Sequence, residues 1–512
     1  MAKVESFEAI VVGGGIGGLS VALSLAKSGR RVVVLEKNAS PGGNCSARKM
    51  GDYTFDLAVH QLTGVEGDGQ CGVVLKDYGI RERLEFARID PFLVLDYPDR
   101  SYSLPGSWGG LHDALCGYFP HERGSVERLM AKMEQIKQDA LIAQRVLYGR
   151  NDVVGELLDK SVPKSKWLSF VLHGPAMLLE GELSAERLFK KYLHDEKLYS
   201  VACGAWPYLG VPPAQLSGMM MAFLFGGQHM EKTFYPKGSS QRVADTFVEA
   251  ITQHGGEVRL GSPVSRIVVK DGRATGVELA DGSRLEAACV VCNAPAPYVY
   301  QKLIDAAEVP QPLNARLGQM KKSVGPFKVY LGLDYDVAEH GLGQHEYLIY
   351  DTYDHEQTYA RMCEGLPSAL SAYAPTRVDP SLAPKGHSTV ILTTMFPWTT
   401  QRDWRANADR VAEEMIDKLE RRVPDVRKHI VVKNTLTPEK LRDYTNASDG
   451  AMYGWANTID QVLIKRLPNK SPIKDLFHVG HWSQPGTGVT TSIISGWMVG
   501  NQLRKAYARR WA

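Results

Sequence analysis

Near the start of the chain three glycines, Gly13, Gly15 and Gly18, stand in the spacing G-x-G-x-x-G, and a carboxylate, Glu36, follows eighteen residues after the last of them. Each glycine at such spacing has its own use: the first permits a tight turn, the second lets the backbone approach a pyrophosphate, and the third lets a helix pack close to a strand. The backbone N–H groups at the helix start, around Ile16 and Gly17, together with the positive end of the helix dipole, hold the phosphates. Glu36, with Lys37 after it, can accept hydrogen bonds from an adenosine ribose and repels a 2′-phosphate, which selects FAD or NAD over NADP. No G-K-[ST] follows, so the loop is not a P-loop. A second glycine pair, Gly42-Gly43 before Asn44, suits a second close approach to a long cofactor. The chain has one G-x-G-x-x-G, whereas a flavoenzyme reduced by NADPH through two Rossmann domains needs another.

These residues need a strand, a turn and a helix to position them, and the sequence supplies all three. Ile10 to Val12 form a β-branched strand, and Ile16 to Ser28 a helix with Leu19, Ala22, Leu23 and Ala26 on one face. Gly29 stops it, and Arg31 to Leu35 form the next strand. That β-α-β context is what makes the glycine motif specific. Further along, Leu129, Met133, Ile136, Ala140 and Leu147 predict a long helix from Ser125, as N-cap, to Arg150. Helices are also expected over Leu183 to Leu193 and Val411 to Leu419. Asp271-Gly272 and Asp281-Gly282 punctuate short apolar runs between Val264 and Val291 and predict a three-stranded meander. Leu476 to Val479 then reads as a strand, followed by "GHWSQPGTG" and a last helix from about Val489 to Ala508.

The expected fold is a mixed α/β arrangement: a discontinuous Rossmann-like nucleotide domain with a β-meander, and an inserted helical and mixed domain for substrate. The nucleotide domain is assigned residues 1–66, 235–300 and 471–512, the inserted one 67–234 and 301–470. A chain of 512 residues suits two or three domains. Its net charge of +3 carries no nucleic-acid signature, and no concentrated basic face is present beyond a short tail after Leu503. Seven scattered cysteines make no disulfide framework. Cys289 and Cys292 have dithiol spacing but lie in a strand-like run, which points them to opposite faces. No metal site is expected. The polar start lacks a signal peptide, and "MMMAFLFGG" at Met219 to Gly227 is too short to span a bilayer, so a soluble or peripheral cytoplasmic protein is expected.

Two longer stretches, "YPKGSSQRVADTFVEAITQHGGEVRLGSPVSRIVVKDGRATGVELADGSRLEAACVVCNAP" from Tyr235 and "LFHVGHWSQPGTGVTTSIISGW" from Leu476, resemble FAD-dependent phytoene desaturases, carotenoid cis–trans isomerases and retinol saturases, with amine oxidases as more distant relatives. The resemblance covers about the first 65 residues, the middle segment and the C-terminus. It implies that the glycine loop and Glu36 hold the ADP half of FAD and that the Val264 backbone meets the adenine. It also implies that Gly480 and the Gly488, Val489 and Thr490 helix start approach the isoalloxazine, where N–H groups can stabilise negative charge on its N1–C2=O side. Two positions depart from the family pattern: Asn44 replaces an arginine after the glycine pair, and His481 replaces an aspartate after Gly480.

By family position, His60, Tyr235, Lys237, His481 and Trp482 are the candidates near the ring. A structural hydrogen-bonding role stays open for His60, a positioning role for Lys237 and a core role for Trp482. "WPYLG" at Trp206, "MMMAFLF" at Met219 and "MYGW" at Met452 together suit an apolar tunnel, and the Met219 to Phe225 run is also a candidate membrane-docking or tunnel-entry element. The function implied is FAD-dependent desaturation or double-bond isomerisation of a conjugated or isoprenoid lipophile, with oxygen or a quinone as electron acceptor. Two rivals share the fold: an amine oxidase-like enzyme acting on C–N bonds, and a flavin-free chaperone of prenylated proteins.

Overall fold

The computed structural model describes residues 5–67, 69–148, 180–398, 400 and 403–508. Its first sheet has seven strands, and the chain returns to it twice. From one edge the order is Glu257–Arg259, Val32–Leu35, Glu5–Val12, Arg284–Cys292, Arg273–Leu279 and Val264–Lys270, with Leu476–His478 also paired to Arg284–Cys292. Glu5–Val12 runs parallel to both its neighbours, with Ala9 opposite Val32 on one side and Cys289 on the other. The apolar runs of these central strands are covered on both faces, as a parallel sheet requires.

The expected meander is present as three antiparallel strands, and its last strand is also the centre of the parallel sheet. Asp271 and Gly272 both adopt positive φ, as a tight two-residue hairpin turn demands. Cys289 and Cys292 are buried free thiols in separate core clusters on opposite faces of the strand.

The first helix, Ile16–Lys27, differs from the one-sided helix expected: every residue from Ile16 to Ala26 is buried. The sheet covers one side, and the helices Ser239–Gln253 and Val489–Ala506 cover the others. Contact with the C-terminal helix is close because small residues face each other. A Cβ on Gly496 would sit 2.3 Å from the Gly17 carbonyl, and one on Gly500 would sit 2.4 Å from the Ser24 Cβ.

The chain also builds a second, mixed seven-stranded sheet. Its order is Ile430–Leu436, Gly325–Leu333, Ser388–Phe396, Ala369–Tyr373, Glu346–Tyr350, Leu93–Asp96 and Ser101–Leu104, antiparallel except between Glu346–Tyr350 and Leu93–Asp96. Its largest core cluster is shared with helices over Trp108–Tyr118, Arg123–Tyr148, Gly218–Met230 and Trp404–Arg422. The long helix begins at Arg123, directly after a 3₁₀ turn, so Ser125 lies inside it and is not its cap. Leu129, Met133 and Ile136 are buried as their spacing predicts, whereas the side chains of Ala140 and Leu147, and Arg150 itself, lie outside what is described. The helix expected over Leu183 to Leu193 is shorter, Ala185–Lys190, with the Ser184 hydroxyl as N-cap.

Candidate active site

Two cavities lie between these layers. The first is a cleft of about 1230 Å³ of empty space along the C-terminal edge of the parallel sheet. Gly13, Gly15, Ile16, Gly17, Glu36, Lys37, Gly42, Gly43, Asn44, Val264, Gly488 and Val489 all line it, as do His481 and Trp482. Gly13 turns the chain at φ +98°. Glu36 sits at the cleft wall, where its carboxylate accepts from the Gly14 N–H at 2.7 Å and from the backbone and side chain of Asn38 at 2.9 and 2.8 Å. Lys37 turns away to the Asp443 carbonyl and Asn446 Oδ1, each at 2.7 Å, and half-burial lowers its pKa against the pull of Glu36 and Asp443.

Gly18 and Gly480 do not line the cleft; they support it from below through Asn293. Asn293 Oδ1 accepts from the Gly18 N–H at 3.1 Å, and Cβ atoms on Gly15, Gly17 or Gly480 would come within 2.3, 2.7 and 2.7 Å of its amide. The space that the glycines leave empty is therefore filled by one side chain joining the glycine loop to the C-terminal loop. Its only sequence signal is an asparagine at the end of a strand, in "VVCNAP".

Arg466 is a second residue that motif reading missed. It is buried and donates to the carbonyls of Tyr453 at 3.0 Å, Trp455 at 3.3 Å and His481 at 2.7 Å, and to Thr487 Oγ1 at 3.2 Å. Burial without a carboxylate partner lowers its pKa to about 9. Burial and Arg466 together push His481 down to about 3, so its imidazole is neutral.

The second cavity, about 1930 Å³ of empty space including its mouth, meets the cleft at Ala58, Val59, Met452, Tyr453, Gly488 and Val489. Pro207, Tyr208, Leu209, Met220, Phe223, Leu224, Met452 and Tyr453 line it, so all three aromatic and methionine runs contribute. The Met219 to Phe225 run lies in Gly218–Met230 with Met219, Met220, Met221, Ala222 and Phe225 buried. Its apolar side chains are divided between the core and the wall of this cavity, which Met220, Phe223 and Leu224 line. Among the described residues no helix is long and apolar enough to cross a membrane.

His60 and Thr490 line this second cavity. His60 Nε2 lies 2.7 Å from Glu346 Oε2, and its ring stacks on Tyr373 at 3.9 Å. Glu346 also accepts from the hydroxyls of Tyr208 and Ser371. Burial alone would raise its carboxyl pKa, but His60 and these hydroxyls hold it below the ordinary value, so it is ionised. An ionised carboxylate only accepts, so in this pair His60 Nε2 carries a proton and donates, and the ring's other nitrogen is Nδ1. That Nδ1 is buried and has no hydrogen-bond partner among the described residues. Tyr235 lies behind this group, buried and donating to Asp56 at 2.8 Å, and lines neither cavity. Lys237 is at the surface, paired with Glu85, and also lines neither. The structure thus brings His60, His481 and Trp482 to the cavities and leaves Tyr235 and Lys237 outside them.

The polar inventory of the cleft fits FAD. Asn44, His481 and Trp482 line it, and Asn44 Oδ1, His481 Nε2 and Trp482 Nε1 are buried with no hydrogen-bond partner among the described residues. The two helices that open onto it, at Gly15 and at Gly488 (φ +114°), have no capping bond from the N-cap residue and no acidic residue in the first turn, so apart from the Gly18 N–H that Asn293 takes, their first N–H groups are left for an anion.

The sequence model for flavin-containing amine oxidoreductases matches residues 16–503. The chain belongs to this family. Within it, the chain is 28% identical to a neurosporene-forming phytoene desaturase of Rhodobacter capsulatus, over 97% of this chain and 94% of that protein. It is 25% identical to a chloroplastic prolycopene isomerase of an Oncidium hybrid cultivar, over 98% and 84%. An oxidoreductase from Methanosarcina mazei shares the fold, with a TM-score of 0.68 at 16% identity, covering 96% of this chain and 99% of that one. As an amine oxidoreductase-family flavoprotein the chain is an FAD-dependent oxidoreductase with the mixed α/β fold expected. The family assignment also removes the flavin-free chaperone reading.

Proposed function

We propose that this oxidoreductase acts on C–C or C=C bonds of a conjugated or isoprenoid lipophile, by desaturation or double-bond isomerisation. The observation that carries this reading is the large, mainly apolar cavity that shares Ala58, Val59, Met452, Tyr453, Gly488 and Val489 with the cofactor cleft. A chain of apolar carbons can lie in it with one bond at that junction, and alignment there matters more than a strong acid or base. Bound FAD supplies hydride acceptance and release. Desaturation removes a hydride from one carbon and a proton from its neighbour, and this reading assigns the proton to His60 Nδ1, whose ring lines the cavity, with Glu346 stabilising the resulting charge. The uncapped start of Val489–Ala506 stabilises negative charge at the junction. Reoxidation falls to oxygen or a quinone, consistent with a single dinucleotide motif.

Similarity to desaturases and isomerases of carotenoids supports the same substrate class. Oxidation of amines draws less support, because Tyr453 is the single aromatic side chain among the six junction residues, where an amine oxidase-like site is expected to set an aromatic pair. Incubating the FAD-loaded enzyme with phytoene, ζ-carotene and prolycopene tests the reading. A product with a longer chromophore, or an isomer of unchanged mass, is expected; unaltered polyenes under both aerobic and quinone-supplemented conditions would refute it.

A further inference from the structure

Most of the larger cavity's wall is apolar, but one row of its floor is not. On the mixed sheet Lys328 lies directly opposite Thr393, and Thr393 directly opposite Ser371. Such cross-strand partners hold their Cβ atoms about 4.5–5.5 Å apart, so the three form a continuous polar row, and all three line the cavity. Ser371 donates its hydroxyl to Glu346. The other two have unused capacity.

Lys328 is 1% exposed, and among the described residues its ammonium makes one hydrogen bond, 3.3 Å to the Ala58 carbonyl. Burial lowers its pKa to about 8, against the pull of Asp56 and Glu346. The Thr393 hydroxyl is buried and has no hydrogen-bond partner among the described residues. An unmade buried hydrogen bond costs about 1–3 kcal/mol, and a buried ammonium costs more. A pocket that held only hydrocarbon would be more stable with aliphatic residues at both positions. An ammonium only donates, so the partner Lys328 lacks is an acceptor, and the Thr393 hydroxyl can donate to the same atom.

We propose that the lipophile taken by this cavity carries a carbonyl or carboxylate oxygen, which docks on Lys328 Nζ and Thr393 Oγ1. The proposal rests on the lipophile reading above and narrows it to oxygenated polyenes or isoprenoids. Ala58, which anchors Lys328, is one of the residues shared with the cofactor cleft. The oxygen therefore sits at the cofactor end of the cavity, close to the reacting bond.

The test is a matched pair of C40 polyenes, β-carotene and its diketone canthaxanthin, titrated into the FAD-loaded enzyme with perturbation of the flavin spectrum as the binding signal. Canthaxanthin is expected to bind at least tenfold more tightly. Thr393→Val, which keeps the side chain's shape, and Lys328→Met should each bring that ratio toward one, with flavin content and melting temperature checked for both. Equal affinity of the wild type for the pair overturns the oxygen site while leaving the lipophile reading intact. A preference that survives both variants overturns it as well, because the oxygen then docks elsewhere. Failure of both polyenes to bind, with amines perturbing the flavin instead, overturns the lipophile reading itself and the oxygen site with it.

Discussion

His60 and Glu346 show how a few atoms decide the chemistry of this site. The ionised carboxylate holds a proton on His60 Nε2, and in the proposed reaction the ring's Nδ1 is the base. Replacing His60 with Gln removes that base from a site it shares with substrate, and turnover should fall by about 10²–10⁴-fold with bound FAD retained. Measuring kcat and the flavin-to-protein ratio on the same preparation checks both halves; a His60→Gln enzyme with undiminished kcat would show that the proton leaves by another route. At this scale the glycines and Glu36 were legible in the sequence because their roles are local to one turn. Asn293 and Arg466 were not. Asn293 acts on Gly18 across 275 positions, and Glu346 acts on His60 across 286, so no short motif contains either pair.

The elements differ in the same way. The first β-α-β unit was readable because glycine, helical periodicity and β-branched runs alternate within about 30 residues. The central strands of the mixed sheet were not, for Gly325–Leu333 and Ser388–Phe396 are buried along their whole length and show no in-out alternation. A fully buried run cannot be distinguished from a buried helix by period. The floor of the larger cavity, with Lys328, Thr393 and Ser371, was therefore out of reach of pattern reading. Packing of Ile16–Lys27 on Val489–Ala506 was also hidden, since its small residues, Gly496 and Gly500, lie far from the glycine motif they contact. Gly496→Leu forces side-chain atoms against the Gly17 carbonyl and should destabilise the fold by about 1–3 kcal/mol or more. Lower melting temperature with loss of bound FAD is the expected result; a stable variant that keeps its flavin would mean the two helices can separate without disturbing the phosphate loop.

The whole molecule carries a set of histidines buried in the neutral state. Burial lowers His229, His355 and His478 from an ordinary value of 6.5 to about 4, and His481 to about 3. Each folded-state value lies below the unfolded one, so between pH 6.5 and 4 the unfolded chain binds more protons than the folded one. Stability is therefore full above pH 6.5 and falls as the pH drops through that window. Melting temperature recorded from pH 8 to 4 should be level at the alkaline end and decline steadily below 6.5; a level profile down to pH 4 would contradict the buried neutral state of these rings.

At the same scale, two cavities join at one short seam, and the account rests on what reacts there. The most direct measurement is the visible spectrum of the FAD-loaded enzyme under anaerobic conditions, titrated in parallel with polyenes and with amines. The account predicts that a polyene bleaches the flavin band, or emerges isomerised with the band intact, while amines leave it unchanged. Bleaching by an amine, with every polyene recovered unaltered, would contradict it.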